Sequence, residues 1–259
     1  MKIGRKSLLF LLFCVALLAF LFVFTYGQGS VTEEELSEEA RRGMTLTQFF
    51  IAGGIAMWPL LACSVLVLTL GIYFAFSLRE RRLFPEALWV NVNKAFSEGD
   101  IGKSLEYCKK HQGKLTPIYT VMLEEYMKNQ PIEKIREAGE RMGALIIGDI
   151  NRNIEYLNTI GVIAPMLGLF GTVTGMMRAF SVVAYKAGLG NPRLLAAGIW
   201  EAFITTATGL PIGIVAFILY IYFREKMGRI AILAANKGEE LIDLIEKVKA
   251  SSLQNKKTL

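Results

Sequence analysis

The sequence predicts an all-α membrane protein. It has three transmembrane helices, or four if its N-terminal apolar segment is retained, and a cytoplasmic helical insert. Three observations carry this. First, residues 7–32, 43–78, 156–177 and 202–223 contain no charged side chain, so all 29 Lys/Arg and 23 Asp/Glu crowd into the rest of the 259-residue chain. Second, each block is long enough to cross the hydrocarbon as a helix, which takes about 20 apolar residues; the helix of a soluble core would carry polar residues along one side. Third, the intervening polar stretch repeats apolar residues at helical spacing. With charged residues at 20% and a mean hydropathy of +0.40, a soluble enzyme, a disordered chain and a disulfide scaffold are all excluded as first readings.

Residues 1–27 read as a signal peptide or an extra transmembrane helix. Lys2, Arg5 and Lys6 form a basic start, Leu8 to Phe24 is apolar, and Thr25-Tyr26-Gly27 offers small residues for a cut before Gln28. Residues 28–48 form an outer acidic segment with Glu33, Glu34, Glu35, Glu38 and Glu39. Residues 49–78 hold the first span. The cluster Arg79, Arg81 and Arg82 marks its inner end.

Residues 79–155 are the cytoplasmic insert, with 13 Lys/Arg and 12 Asp/Glu. Thr116-Pro117 and Gln130-Pro131 read as helix starts, since proline fits the first turn. After Pro131, the spacing of Ile132, Ile135, Met142, Ile146, Ile150 and Leu157 predicts one helix running unbroken into the next block. Residues 156–177 and 202–223 are the remaining spans. They form a hairpin through a short outer connection, 178–201, that contains Gly188, Gly190 and Pro192. The tail, 224–259, places Leu241, Leu244, Ile245 and Val248 at helical spacing to pack on the insert. Basic residues near the inner ends (Arg79, Arg81, Arg82, Arg152, Arg224, Lys226, Arg229) outnumber those near the outer ends (Arg41, Arg42, Arg178, Lys186, Arg193).

A net charge of +6 does not point to nucleic acid, because much of the Lys and Arg flanks apolar blocks, where it orients helices and meets anionic lipid. Cys14, Cys63 and Cys108 lie far apart, and His111 is the one histidine. A Cys/His metal site and a His-based triad are therefore not expected, nor is a cofactor, and no nucleophile–base pair suggests an enzyme.

The third block places Gly161, Pro165, Gly168, Thr172 and Gly175 at spacings of four and three, on one helical face. Small residues let membrane helices approach closely, and tight packing accounts for most of these glycines. In the fourth, Ala202, Thr206, Gly209 and Gly213 make a matching stripe, and Thr205 and Thr208 share a face with Glu201. Glu201 is the only charge between Arg193 and Arg224. A charge at the bilayer centre costs about 2.5–3.5 kcal/mol on insertion scales. Two readings stay open on position alone: an acid facing a bundle interior, partner or water, or an acid capping the helix start at the outer interface. A carboxyl beside hydroxyls suits proton handling, since hydroxyls both donate and accept and can link waters into a relay.

The stretch Ala164-Pro165-Met166-Leu167-Gly168-Leu169-Phe170-Gly171-Thr172-Val173-Thr174-Gly175-Met176 resembles the signature of the MotA/TolQ/ExbB proton-channel family. So does Gly198-Ile199-Trp200-Glu201-Ala202-Phe203-Ile204-Thr205-Thr206-Ala207-Thr208-Gly209-Leu210. The resemblance covers about residues 45–225. It implies a multi-pass inner-membrane subunit of the ExbB/TolQ branch, assembled as a homo-oligomer, typically a pentamer. The implied partner is a single-pass ExbD- or TolR-like protein bearing a transmembrane Asp, with a TonB-like protein beyond it. Proton flow would then drive outer-membrane transport or envelope maintenance. On this resemblance Glu201 is the pore glutamate, Thr172 and Thr206 are the pore threonines, and Thr205 and Thr208 are lesser candidates. Gly168, Gly171, Gly175, Gly209 and Pro165 serve helix packing. The chain departs from the pattern at Val215, where the family usually has the proline that here stands at Pro211, and at Ile221, where it usually has Asn. The rival readings are a MotA-like, ion-driven motor subunit and a non-conducting membrane scaffold.

Overall fold

In a computed structural model of the protein, residues 50–79, 83, 86–97, 100–111, 113–185 and 192–257 are described. The expected signal segment and outer acidic segment lie outside them. The described residues form six main helices: α1 (Met57–Ser77), α2 (Glu86–Ser97), α3 (Ile101–Lys110), α4 (Thr116–Met127), α5 (Ile132–Tyr185) and α6 (Pro192–Lys257). The all-helical class is as predicted, and three helices (α1, α5 and α6) are long and apolar enough to cross a membrane. The long helices overrun the charge-free blocks at both ends. Charge alone does not stop a helix, and Pro192 stands at the first position of α6, where a proline fits.

The chain divides into two compact units. The first comprises the described residues up to Ile72 together with Tyr156–Tyr220. Its core joins Met57, Leu60 and Val67 of α1, Ile160 and Ala164 of α5, and Ile204, Ile212, Val215 and Ala216 of α6. The other sides of these helices present large apolar groups: Leu61, Val65 and Leu68 on α1, Met166, Leu169 and Phe170 on α5, and Phe203, Leu210 and Ile214 on α6. Helices that are apolar inside and out are those of a bilayer, where side chains facing out meet lipid or other helices.

The second unit comprises Tyr73–Glu155 and Ile221–Leu259. Asp100 starts α3 as its N-cap, its carboxylate accepting from the Lys103 amide at 3.0 Å. Pro117 lies in the first turn of α4, and the Pro131 carbonyl accepts from the Ile135 amide as α5 begins. Between them Asn129 takes φ +57, the left-handed turn that Asn tolerates best among residues with a Cβ. Leu241 and Ile245 of α6 are buried in this unit, as are Trp89, Phe96, Tyr119 and Leu123 of the insert. Two buried polar groups find distant partners: the Trp89 indole donates to Glu240 at 3.0 Å and the Tyr119 hydroxyl to the Ala234 carbonyl at 3.2 Å.

Cys108, 2% exposed, also lies in this core, and burial pushes its thiol up to about 11. Because the folded value is the raised one, the stability this thiol contributes is present below the unfolded value and is lost as pH climbs toward 11. At pH 8 its alkylation by iodoacetamide should run about a hundredfold slower in the folded chain than in the unfolded one, following the thiolate fraction. Equal rates would place Cys108 outside the core.

Candidate functional site

The site is built on the hairpin of α5 and α6 in the first unit. Its two small-residue stripes meet in antiparallel register. A Cβ on Gly161 would touch the Gly213 carbonyl and Phe217; one on Gly168 would come within 3.0 Å of the Thr205 carbonyl and 3.1 Å of Thr206 Cα; one on Gly175 would come within 3.1 Å of Ala202 and of the Gly198 carbonyl. Pro165 fits the notch at Gly213, and Gly171 faces the Thr205 side chain. The predicted packing residues are thus brought together: Gly168, Gly171, Gly175 and Pro165 on α5, with Gly209 on α6.

The threonines separate by what their hydroxyls bind. Thr205, 1% exposed, donates across the hairpin to the Gly168 carbonyl at 3.2 Å and also lies 2.8 Å from the Ala202 carbonyl. Thr206 reaches the same Gly168 carbonyl at 3.1 Å. Thr208 and Thr172 bond their own helices, at 2.8 Å to the Ile204 carbonyl and 2.6 Å to the Leu169 carbonyl. Thr172 is half-buried and lines a shallow hollow on α5 with Val173, Met176, Met177 and Phe180. Each hydroxyl has a second lone pair, so Thr172 and Thr206 can still accept from water.

The Arg178 guanidinium of α5 donates to the Glu201 carboxylate of α6 at 2.6 Å; the Glu201 side chain is 21% exposed and that of Arg178 52%. Gly54, in the turn before α1, lies over the carboxylate at φ +66, and a Cβ there would collide with Glu201 Oε1. Glycine is required twice at that position, for its conformation and for room. Glu201 therefore meets a guanidinium, a backbone turn and its own helix.

Arg178 and Gly54 were not among the expected site residues. The flanking-charge pattern assigns Arg178 only to the outer end of a span. The matched stripes of small residues are the signal that could have found it: an antiparallel register that sets Gly168 against Thr205 and Gly175 against Ala202 brings Arg178 opposite Glu201. Among the described residues no group of three or more His, Cys, Asp or Glu is placed to hold a metal ion.

A multi-pass, all-helical membrane subunit with one paired carboxylate in a tightly packed hairpin is the class of protein that this fold and site define. Residues 111–235 match the MotA/TolQ/ExbB proton channel family. The chain is 32% identical over 174 residues to the biopolymer transport protein exbB1 of Vibrio cholerae, covering 63% of this chain and 72% of that one. It is 40% identical over 89 residues to the biopolymer transport protein ExbB of Salmonella typhimurium, covering 34% of this chain and 36% of that one. Against the Tol-Pal system protein TolQ of Haemophilus influenzae it is 30% identical over 156 residues, covering 56% of this chain and 65% of that one. The chain belongs to the MotA/TolQ/ExbB proton channel family, as an ExbB/TolQ-like subunit. It is an inner-membrane protein, and its family serves transport and energy transduction rather than enzymatic turnover. Membership implies a complex with an ExbD- or TolR-like partner.

Proposed function

We propose that this chain is the proton-conducting subunit of an ExbB/TolQ-like complex, a homo-oligomer built around a single-pass partner with a transmembrane Asp. The complex couples the proton-motive force to outer-membrane transport or envelope maintenance. One observation carries the reading: the one acid between Arg193 and Arg224 pairs across the hairpin of α5 and α6, on the same helix as Thr206, whose hydroxyl can hold water. In this reading Glu201 takes up and releases the proton. Thr172 and Thr206 line the water path, Thr205 and Thr208 contribute less, and the glycines hold α5 and α6 together.

The test is an imposed pH gradient across sealed vesicles that contain the chain and such a partner. The gradient should collapse at one rate whether sodium or potassium is the only metal cation, and Thr206→Val should slow it. A rate that requires sodium would instead support a motor-type ion channel. Silence of both Thr172→Val and Glu201→Gln would leave a scaffold.

A further inference from the structure

We infer that the inner end of α1 and the loop before α4 form a binding site for the phosphate of an anionic phospholipid, held by Lys114 and Ser77 at the cytoplasmic surface of the membrane. The site lies wholly within the second unit and does not depend on how protons pass through the hairpin.

Backbone bonds fix where Lys114 stands. The Leu115 amide donates to the Leu83 carbonyl at 3.2 Å, and the Thr116 amide to the Gly113 carbonyl at 3.1 Å. Leu83 and Leu115 are both buried. The Lys114 side chain is exposed and reaches α1, where its ammonium donates to Ser77 Oγ at 2.9 Å. It also lies 5.7 Å from the centre of the Tyr73 ring. A hydroxyl and a ring leave an ammonium without a counter-charge. Lys103, Lys109 and Lys128 of the same insert instead take the carboxylates of Asp100, Glu124 and Glu125. Among the described residues no carboxylate pairs with Lys114.

Depth and face both point to lipid. Ser77 is the last residue of α1, at the end of a charge-free block, and Arg79, Arg81 and Arg82 follow it in sequence. That is the level of the inner headgroups. Tyr73, Phe76 and Ser77 stand three and four residues apart, hence on one side of α1, and Tyr73 and Phe76 are 51% and 53% exposed. Large apolar groups that face outward from a membrane helix meet acyl chains. The ammonium one turn below them meets the headgroups those chains carry. A phosphate fits there, because its oxygens accept from the ammonium donors that Ser77 leaves over and bring the negative charge that Lys114 lacks. A zwitterionic headgroup carries its own cation beside the phosphate, so the site favours an anionic lipid.

The experiment counts lipid. The full chain is carried in lipid discs of equal parts phosphatidylglycerol and phosphatidylcholine, and native mass spectrometry counts each lipid that it keeps on release. The unaltered chain should keep phosphatidylglycerol in preference. Lys114→Gln should lower that preference about fivefold, the worth of one lysine at an anionic surface, and Lys114→Arg should preserve it. Ser77→Ala alters no charge and should lower the preference too, which a diffuse attraction of the basic inner end for anionic lipid would not do. Arg229→Gln, an equal loss of charge on α6, should stay near the unaltered value. Lys114 is exposed and Ser77 half-buried, so neither change disturbs the core. Inorganic phosphate added to the released protein should leave the lipid in place; displacement by it would assign the site to a soluble phosphate and overturn the lipid reading. An unchanged preference in Lys114→Gln also overturns the site. That is the result expected if Glu80, which lies outside the described residues, already neutralises the ammonium. A preference untouched by Ser77→Ala, or lost equally in Arg229→Gln, overturns it as well.

Discussion

Replacing Glu201 with alanine is expected to reduce proton-driven function to background while the protein still inserts and assembles. The first half follows from what the side chain offers. Between Arg193 and Arg224 no other residue can hold a proton at physiological pH, and Thr205 and Thr206, which bond across the hairpin, offer only hydroxyls. Hydroxyls can pass a proton along a chain of waters but cannot store one at neutral pH. The second half follows from how little of the hairpin depends on the carboxylate. The cross-helix bonds from Thr205 and Thr206 to the Gly168 carbonyl do not involve it, and neither do the glycine contacts. Removing one member of the pair leaves Arg178 half-exposed and able to find water, so the cost should stay near that of a partly exposed ion pair, about 0–1 kcal/mol. Glu201→Gln keeps the shape and removes the titration, and should match alanine in function. The measurement is gradient collapse in proteoliposomes beside the elution volume of the oligomer. An assembled Glu201→Ala complex that conducts as before would remove Glu201 from the path.

Sequence periodicity accounts for the helices because it reports on faces, and faces are local. The unbroken α5 follows from apolar spacing after Pro131, and the two hairpin stripes follow from glycines three and four apart. What periodicity does not report is which faces meet and in what register. Arg178 reads as a flanking charge because its partner is 23 residues away on another helix. Gly54 reads as one more small residue in an apolar block, although its positive φ and its place over Glu201 make it part of the site. The Trp89–Glu240 bond of the second unit joins residues 151 apart, beyond the reach of any local pattern. Thr205 shows the limit from the other side: it shares a face with Glu201, yet its hydroxyl turns to backbone carbonyls on both helices of the hairpin. A hydroxyl in an apolar setting takes the nearest acceptor, and the small Gly168 brings a backbone carbonyl within reach.

Gly209→Ala is expected to be among the most damaging single methyls in the hairpin. Alanine is normally the better helix former, by about 0.5–1 kcal/mol over glycine, so the change should stabilise α6 wherever there is room. At Gly148 nothing lies within 4 Å of the added carbon, and alanine there should be neutral or stabilising in the isolated chain. At Gly209 the carbon would sit 2.6 Å from the Ala164 carbonyl oxygen, 3.1 Å from Gly168 Cα and 3.2 Å from the Gly168 amide nitrogen. These are backbone atoms of α5, so no rotamer change relieves the contact and the helices must part. Overpacking of this kind costs about 1–3 kcal/mol, enough to outweigh the propensity gain. Parting also stretches the bonds that Thr205 and Thr206 make to the Gly168 carbonyl, 3.2 and 3.1 Å long, and bonds of that length have little slack. Trimming a side chain on α5 should not rescue the variant, because no side chain causes the clash. Thermal unfolding in detergent should therefore show Gly209→Ala melting below the unaltered chain and Gly148→Ala at or above it. Equal midpoints for Gly209→Ala and the unaltered chain would mean that α5 and α6 do not pack through their glycines. The same variant separates packing from chemistry: Glu201 and Arg178 are both retained, so a loss of conduction in Gly209→Ala would show that proton transfer needs the register of the hairpin as well as its carboxyl.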